Sequence, residues 1–122
     1  MKIKHLFPIL ATKDLEQTIE FYEKHLGFEC LGKYPAENPC WASLCKSNVE
    51  IAFTVPEDTR SFEKNEAYCT IYLNVKNVDE VYETLREKVE IAYPVKDFDY
   101  GMREFGIRDC NGYILHLGEN IE

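Results

Sequence analysis

Apolar and polar positions follow the same order twice along the chain. From Phe7 to Tyr22 it reads Phe-Pro-Ile-Leu-Ala-Thr-Lys-Asp-Leu-Glu-Gln-Thr-Ile-Glu-Phe-Tyr. From Thr70 to Leu85 it reads Thr-Ile-Tyr-Leu-Asn-Val-Lys-Asn-Val-Asp-Glu-Val-Tyr-Glu-Thr-Leu. Each copy is a short apolar strand, a polar turn and an amphipathic helix opened by Asp or Asn. The offset is constant at 63 residues from Asp14 to Asn77, and it also brings Leu15 onto Val78, Ile19 onto Tyr82, Tyr22 onto Leu85 and Leu26 onto Val89. A repeated unit of this size allows two copies to face each other and line a groove symmetrically, an arrangement suited to binding.

The pattern predicts a first strand over residues 4–11. A helix follows with Asp14 as N-cap and Gln17 in the capping-box position, where each side chain satisfies an amide the helix leaves open. Leu15, Ile19, Tyr22 and Leu26 make one apolar stripe at helical spacing, and Gly27 stands where a left-handed C-cap is needed. Strands fit residues 28–33, 40–46 and 49–55, with Ser47-Asn48 as a hairpin turn. Residues 56–66 are charged and carry one aromatic, Phe62; they read as a linker and a candidate flap. The second copy predicts a strand over 68–75, a helix with Asn77 as N-cap and Glu80 in the capping-box position, and strands over 91–95, 102–108 and 113–117. Asn111-Gly112 is a strong hairpin signal, and residues 96–101 form a second candidate mobile loop. The expectation is an α+β chain of one domain over 1–122, with βαβββ modules at 3–56 and 67–120 joined by a linker at 57–66.

Composition narrows the function classes. A net charge of −8 leaves no basic footprint for nucleic acid. No apolar run approaches the roughly 20 residues of a membrane-spanning helix. The opening Met-Lys-Ile-Lys-His-Leu-Phe-Pro-Ile-Leu is read as a first strand rather than a secretion signal, because the apolar stretch ends in Thr-Lys-Asp without a small-residue cleavage site. Five cysteines, an odd number with no Cys-x-x-Cys pair, fit free thiols in a reducing cytoplasm. There is neither a Gly-x-Ser-x-Gly nor a phosphate loop.

Three signatures carry a resemblance. Lys13-Asp14-Leu15 is followed by Phe21-Tyr22 and by Leu26-Gly27-Phe28; Asn77-Val78-Asp79 opens the second helix; and the stretch from Gly101 to Tyr113 reads Gly-Met-Arg-Glu-Phe-Gly-Ile-Arg-Asp-Cys-Asn-Gly-Tyr. In this order they resemble the vicinal oxygen chelate superfamily, which includes glyoxalase I, extradiol dioxygenases and bleomycin-resistance proteins, with Cys110 replacing a usual Pro. The resemblance implies that each module curls into half of an incomplete barrel, helices outside and a ligand groove inside, and that the chain forms a homodimer. It also implies metal-ligand positions on the first and last strand of each module, which fall here on Phe7, Glu50, Thr70 and His116. Phe7 and Thr70 correspond at the repeat offset of 63 residues, an independent check. Only Glu50 and His116 are ordinary metal ligands, so the expectation is no cofactor; the alternative is a divalent metal ion held by His5, Glu50 and His116, since His5 shares the strand face of Phe7.

Strand alternation sorts the remaining residues. If Phe7, Glu50, Thr70 and His116 face the groove, so do His5, Ile9, Ala52, Tyr68, Tyr72, Asn74 and Ile114. Leu6, Leu10, Val49, Ile51, Phe53, Cys69, Ile71, Leu73, Val75, Leu115 and Leu117 then face the helices. The expected ligand-binding set is Phe7, Trp41, Glu50, Tyr68, Thr70, Tyr72, Tyr100, Arg103 and His116. Glu50 and His116 are the candidate acid-base pair. Arg103, grouped with Phe105 and Ile107, is placed at the cavity mouth for a carboxylate or phosphate; pairing with a nearby Asp or Glu is the alternative, as core packing is for Trp41. The expected function is a metal-independent binding protein of the glyoxalase/bleomycin-resistance type that sequesters a small aromatic or cationic compound. The alternatives are a metal-dependent lyase, isomerase or dioxygenase, and a metabolite-sensing dimer without chemistry. Nucleic-acid and membrane partners are not expected.

Overall fold

The computed structural model describes residues 1–57 and 69–122. The chain divides into two compact units, Met1–Lys64 and Asn65–Glu122. In the first unit the described elements are β1 (Ile9–Ala11), α1 (Leu15–Leu26), β2 (Glu29–Tyr34), β3 (Trp41–Lys46) and β4 (Val49–Thr54). In the second they are β5 (Thr70–Asn74), α2 (Val78–Leu85), β6 (Glu90–Asp97), β7 (Met102–Arg108) and β8 (Ile114–Asn120). The sheet orders are β1-β4-β3-β2 and β5-β8-β7-β6. In each sheet the first strand runs parallel to the last and the other neighbours are antiparallel. The predicted tandem βαβββ, α+β architecture is therefore present, and neither sheet closes on itself.

One face of each sheet is packed under its helix. In the first unit the Tyr22 ring is fully buried 5.1 Å from Phe53 and meets Phe28 edge-on at 5.5 Å, while Leu10, Leu15, Ile19, Leu44 and Ile51 complete the core. In the second, Tyr82 of α2 meets Phe105 at 5.0 Å, over Ile107, Leu115 and Leu117, with Val78 and Leu85 of α2 buried. Each such side chain contributes about 1.5–3 kcal/mol on full burial, so these two layers are the main source of stability within each unit.

The helix starts differ. Asp14 caps α1 as expected, its carboxylate accepting from the Gln17 amide at 3.0 Å, and Gly27 ends the helix at φ 72°. Asn77 does not cap α2 with its side chain. Its backbone is left-handed at φ 58°, outside the extended region from which an N-cap side chain reaches back, and the expected capping box with Glu80 does not supply the cap. Glu119 of β8 does so instead, accepting from the Asn77 and Val78 amides at 3.0 and 3.1 Å. Those amides, Val78 first, hold the Glu119 carboxyl below its usual range.

Several boundaries are corrected. The first strand, expected over 4–11, is confined to Ile9–Ala11: Pro8 has no N–H to extend the ladder, although its carbonyl accepts from Ala52. Leu6, assigned to the helix-covered face, is consequently 80% exposed. β6 extends to Asp97, so Lys96 and Asp97 belong to a strand rather than a loop. The turn after it is closed by hydrogen bonds from the Phe98 amide to Met102 and from the Gly101 amide to Phe98, with Gly101 at φ 83°. At the β7–β8 turn, the Asp109 carboxylate accepts from the Asn111 and Tyr113 amides, each at 2.9 Å, and Gly112 takes φ 91°. The expected flap around Phe62 and the site residue Tyr68 lie outside the described residues. Among the described residues no helix is long and apolar enough to cross a membrane.

Candidate functional site

In the first unit, alternation along β3 and β4 sends Ala42, Leu44, Ile51 and Phe53 toward α1 and turns Trp41, Ser43, Cys45, Glu50 and Ala52 to the other face. Glu50 is held there from both sides. Ser43 Oγ donates to one carboxylate oxygen at 2.6 Å, and His5 Nε2 lies 2.7 Å from the other. The Ser43 bond, then the His5 bond, keeps the Glu50 carboxyl below the usual carboxylate range despite the opposing effect of burial. The Phe7 ring lies 5.8 Å from that of His5, and Trp41 is half-buried on the same sheet face as Ser43. These groups are not a nucleophile relay. Ser43 directs its proton to Glu50, not to an imidazole, so the arrangement fixes a negative charge without activating the hydroxyl.

The second unit holds a denser constellation. Phe105 and Ile107 are fully buried under α2, so alternation along β7 turns Glu104 and Gly106 to the opposite face. Glu104 is only 3% exposed, yet both its carboxylate oxygens are engaged. Tyr72 Oη and Tyr100 Oη donate to its Oε1 at 3.0 and 2.5 Å, and Tyr93 Oη donates to Oε2 at 2.5 Å. Tyr93 Oη is also 2.6 Å from His116 Nδ1. The Tyr72 ring stacks on His116 at 5.9 Å and 19°, and Phe98 stacks on Tyr100 at 5.4 Å. Register explains the convergence: His116 stands opposite both Tyr72 and Gly106, Tyr93 opposite Gly106, and Glu104 opposite Gly118.

The two glycines are required by this packing. A Cβ on Gly106 would overlap the Tyr93 ring, and one on Gly118 would overlap the Tyr72 hydroxyl. Burial by itself would raise the Glu104 carboxyl, but the bonds from Tyr100, Tyr93 and Tyr72 outweigh it and hold the group below the usual range, ionised at neutral pH. The same bonds keep the phenols protonated. Tyr72 is pushed up to about 12, chiefly by burial, and Tyr100 to about 12, chiefly by its bond to Glu104. Burial, with the Glu104 bond second, raises Tyr93 further. Tyr72 and Tyr100 remain 41% and 58% exposed, so aromatic surface faces outward while the charge is held beneath it.

The expected site residues are thus distributed over two faces. Phe7, Trp41 and Glu50 belong to the first unit; Thr70, Tyr72, Tyr100 and His116 belong to the second, with Thr70 exposed on the strand face of Tyr72. Arg103 makes the carboxylate pairing that was the alternative expectation for it. It shares the helix-covered face with Phe105 and Ile107, where Nε donates to Asp79 at 2.9 Å and Nη1 to Asp97 at 3.0 Å. The Asp97 bond, then the Asp79 bond, raises its pKa. The guanidinium joins β6 to the start of α2 and is committed to carboxylates of its own chain. Glu104 and Tyr93 were not among the expected residues, although the alternation that puts Phe105 and Ile107 in the core already required Glu104 to face the other way.

The implied metal positions do not supply a fitting donor set. Phe7 has no donor atom and Thr70 offers only a neutral hydroxyl. Both Glu50 oxygens are engaged by protein groups, and His116 has Nδ1 engaged with only Nε2 left open. Among the described residues no group of three or more His, Cys, Asp or Glu side chains is placed to hold a metal ion.

Comparison with known proteins gives one family. A family model described as the Glyoxalase/Bleomycin resistance protein/Dioxygenase superfamily matches residues 2–117. Among solved structures, TioX from Micromonospora sp. ML1 is similar with a TM-score of 0.78 at 19% identity, covering 96% of this chain and 98% of that one. A superfamily member from Sphaerobacter thermophilus gives 0.75 at 22% identity, covering 97% and 98%. The bleomycin-binding protein of bleomycin-producing Streptomyces verticillus, complexed with copper(II)-bleomycin, gives 0.72 at 21% identity, covering 96% of each chain. Identities of this size establish a shared fold. No curated protein matches the sequence significantly.

Proposed function

The chain belongs to the Glyoxalase/Bleomycin resistance protein/Dioxygenase superfamily, and from that premise we propose that it is a metal-independent small-molecule-binding protein that sequesters an aromatic or cationic compound against its open sheet faces. The observation that carries the reading is the Glu104 cluster: a buried carboxylate under two tyrosines whose rings remain exposed. Aromatic faces over a fixed negative charge favour a flat ligand bearing positive charge, by stacking and by cation–π attraction. Glu50, held as an anion by Ser43 and His5, and the net charge of −8 act in the same direction. The fold likeness to a bleomycin-binding protein makes that compound a reasonable member of any ligand panel.

We further propose that the protein is a cytoplasmic homodimer. Support for the compartment is the set of five cysteines without a disulfide. Support for the dimer is the apolar run of Ile3, Leu6 and Ile9, which are 75%, 80% and 56% exposed. Sedimentation at micromolar concentration tests the dimer, and a monomer there refutes it.

A thermal-shift panel containing metal-free bleomycin, benzylammonium and benzamidinium tests the binding reading. Ligand at about 100 times its Kd adds about 2.7 kcal/mol of stability, and that gain should disappear in Tyr72→Ala and Tyr100→Ala. A broad panel without a hit counts against the proposal. Stoichiometric Ni, Fe, Mn or Zn in protein purified without chelator, lost in Glu50→Ala and His116→Ala, would replace it with a metal-dependent enzyme.

A further inference from the structure

The Glu104 cluster has a proton count that assigns a tautomer. A phenol has one hydrogen to give. Glu104, as an ionised carboxylate, can only accept, so Tyr72, Tyr93 and Tyr100 must each direct their single proton to it. The contact of Tyr93 Oη with His116 Nδ1 at 2.6 Å then has no phenolic proton left. The proton in that contact must be carried by Nδ1.

We infer that Glu104 acts through Tyr93 as a positioning group for His116, fixing the imidazole with Nδ1 protonated and leaving Nε2 as the unprotonated acceptor of the neutral ring. The orientation of the ring is set independently, by stacking on Tyr72 at 5.9 Å and contact with Tyr93 at 5.7 Å. A histidine with one nitrogen tied to the protein and the other left as acceptor recognises hydrogen-bond donors. The ligand class for this face is therefore a compound that presents an N–H or O–H to His116, such as an ammonium, amidinium or amide. This ligand class rests on the binding function proposed above; the tautomer itself does not.

The test is nitrogen-15 NMR of the imidazoles in ligand-free protein at mildly alkaline pH, with the His116 signals identified by their loss in His116→Asn. The expected result is a pyrrole-like Nδ1 and a pyridine-like Nε2 for His116. Glu104→Gln should invert the assignment: the amide oxygen still accepts from Tyr72 and Tyr100, while its NH2 faces Tyr93, which turns its proton to Nδ1 and drives the ring to the Nε2–H form. Tyr93→Phe removes the acceptor for Nδ1–H and should also yield the Nε2–H form, so the inference stays testable if one variant fails to fold. An Nε2–H ring in the unaltered protein overturns it, as does an Nδ1–H ring that persists in both variants. Binding of benzylammonium should then shift the His116 Nε2 signal, whereas benzoate should not. A panel with no binder would remove the binding function while the ligand-free tautomer remained as measured.

Discussion

Replacing Tyr93 by Phe isolates one atom of the cluster. The ring is retained over Gly106, so no cavity opens, and only Oη is lost. That oxygen donates to Glu104 at 2.5 Å and lies 2.6 Å from His116 Nδ1. A hydrogen bond to a charged group contributes about 1.5–3 kcal/mol, and Glu104, at 3% exposure, would have little water to replace it. Two donors, Tyr72 and Tyr100, would still serve the carboxylate, which favours the middle of the range, about 2 kcal/mol. In urea, with a slope of about 1–3 kcal/mol/M for small proteins, the midpoint should fall by about 1 M at neutral pH with the slope unchanged. The effect has a pH signature. Because the folded-state pKa of Glu104 is depressed below 4.5, its ionised-state stabilisation is complete above that value and fades as pH falls through the lower folded value. The Tyr93→Phe penalty should shrink over the same interval. A double-mutant cycle with Glu104→Gln should give coupling of about 1–2 kcal/mol. A penalty below about 0.5 kcal/mol, typical of unstructured surface sites, would refute the reasoning, as would one that is constant with pH.

Two further perturbations probe the frame around the site. Phe53→Ala removes a fully buried ring packed 5.1 Å from Tyr22 and should cost about 3–5 kcal/mol; calorimetry showing under about 1 kcal/mol would mean that this core is not the one described. Gly118→Ala should leave the fold intact, because the clashing atom is the end of the Tyr72 side chain, but should push the Tyr72 hydroxyl off Glu104. The expected readout is an unchanged far-ultraviolet spectrum together with loss of any stabilisation by aromatic cations; full retention of ligand response would deny Tyr72 its place on the binding face.

The repeat was legible because a helix that buries one stripe and a strand that buries one face impose periods of 3.6 and 2 wherever they occur. Those periods located both helices and most of the strands, and Asp14 with Gly27 announced the ends of α1 correctly. They failed where a partner outside the local window decides. Asn77 looks like a cap in sequence, yet Glu119, 42 residues away, performs that task. The first strand begins only at Ile9 because Pro8 cannot extend the ladder toward the N-terminus, which the apolar run did not reveal.

Within each sheet, Glu50, Tyr72 and His116 lie on the face opposite the helix-covered core. Arg103 shares its face with the core residues Phe105 and Ile107, and its guanidinium is held by Asp79 and Asp97, the alternative weighed for it from the sequence. Identity of the face depends on the residues immediately along the strand and can be read locally. The use made of a polar side chain on that face depends on which other strands bring partners to it. Tyr72, Tyr93 and Tyr100 come from β5, β6 and the turn before β7, and no single stretch of chain contains the reason they meet at Glu104.

The order of residues alone thus determined two βαβββ modules, an apolar layer beneath each helix and the absence of a full metal-ligand set at the four implied positions. The tertiary structure decided that a buried carboxylate should be bound by three phenols, and that His116 should share the hydroxyl of one of them. Periodicity is a short-range property of the chain, whereas the satisfaction of a buried charge is a property of strand register, and the glycines at 106 and 118 acquire their purpose only when the rings above them are in place.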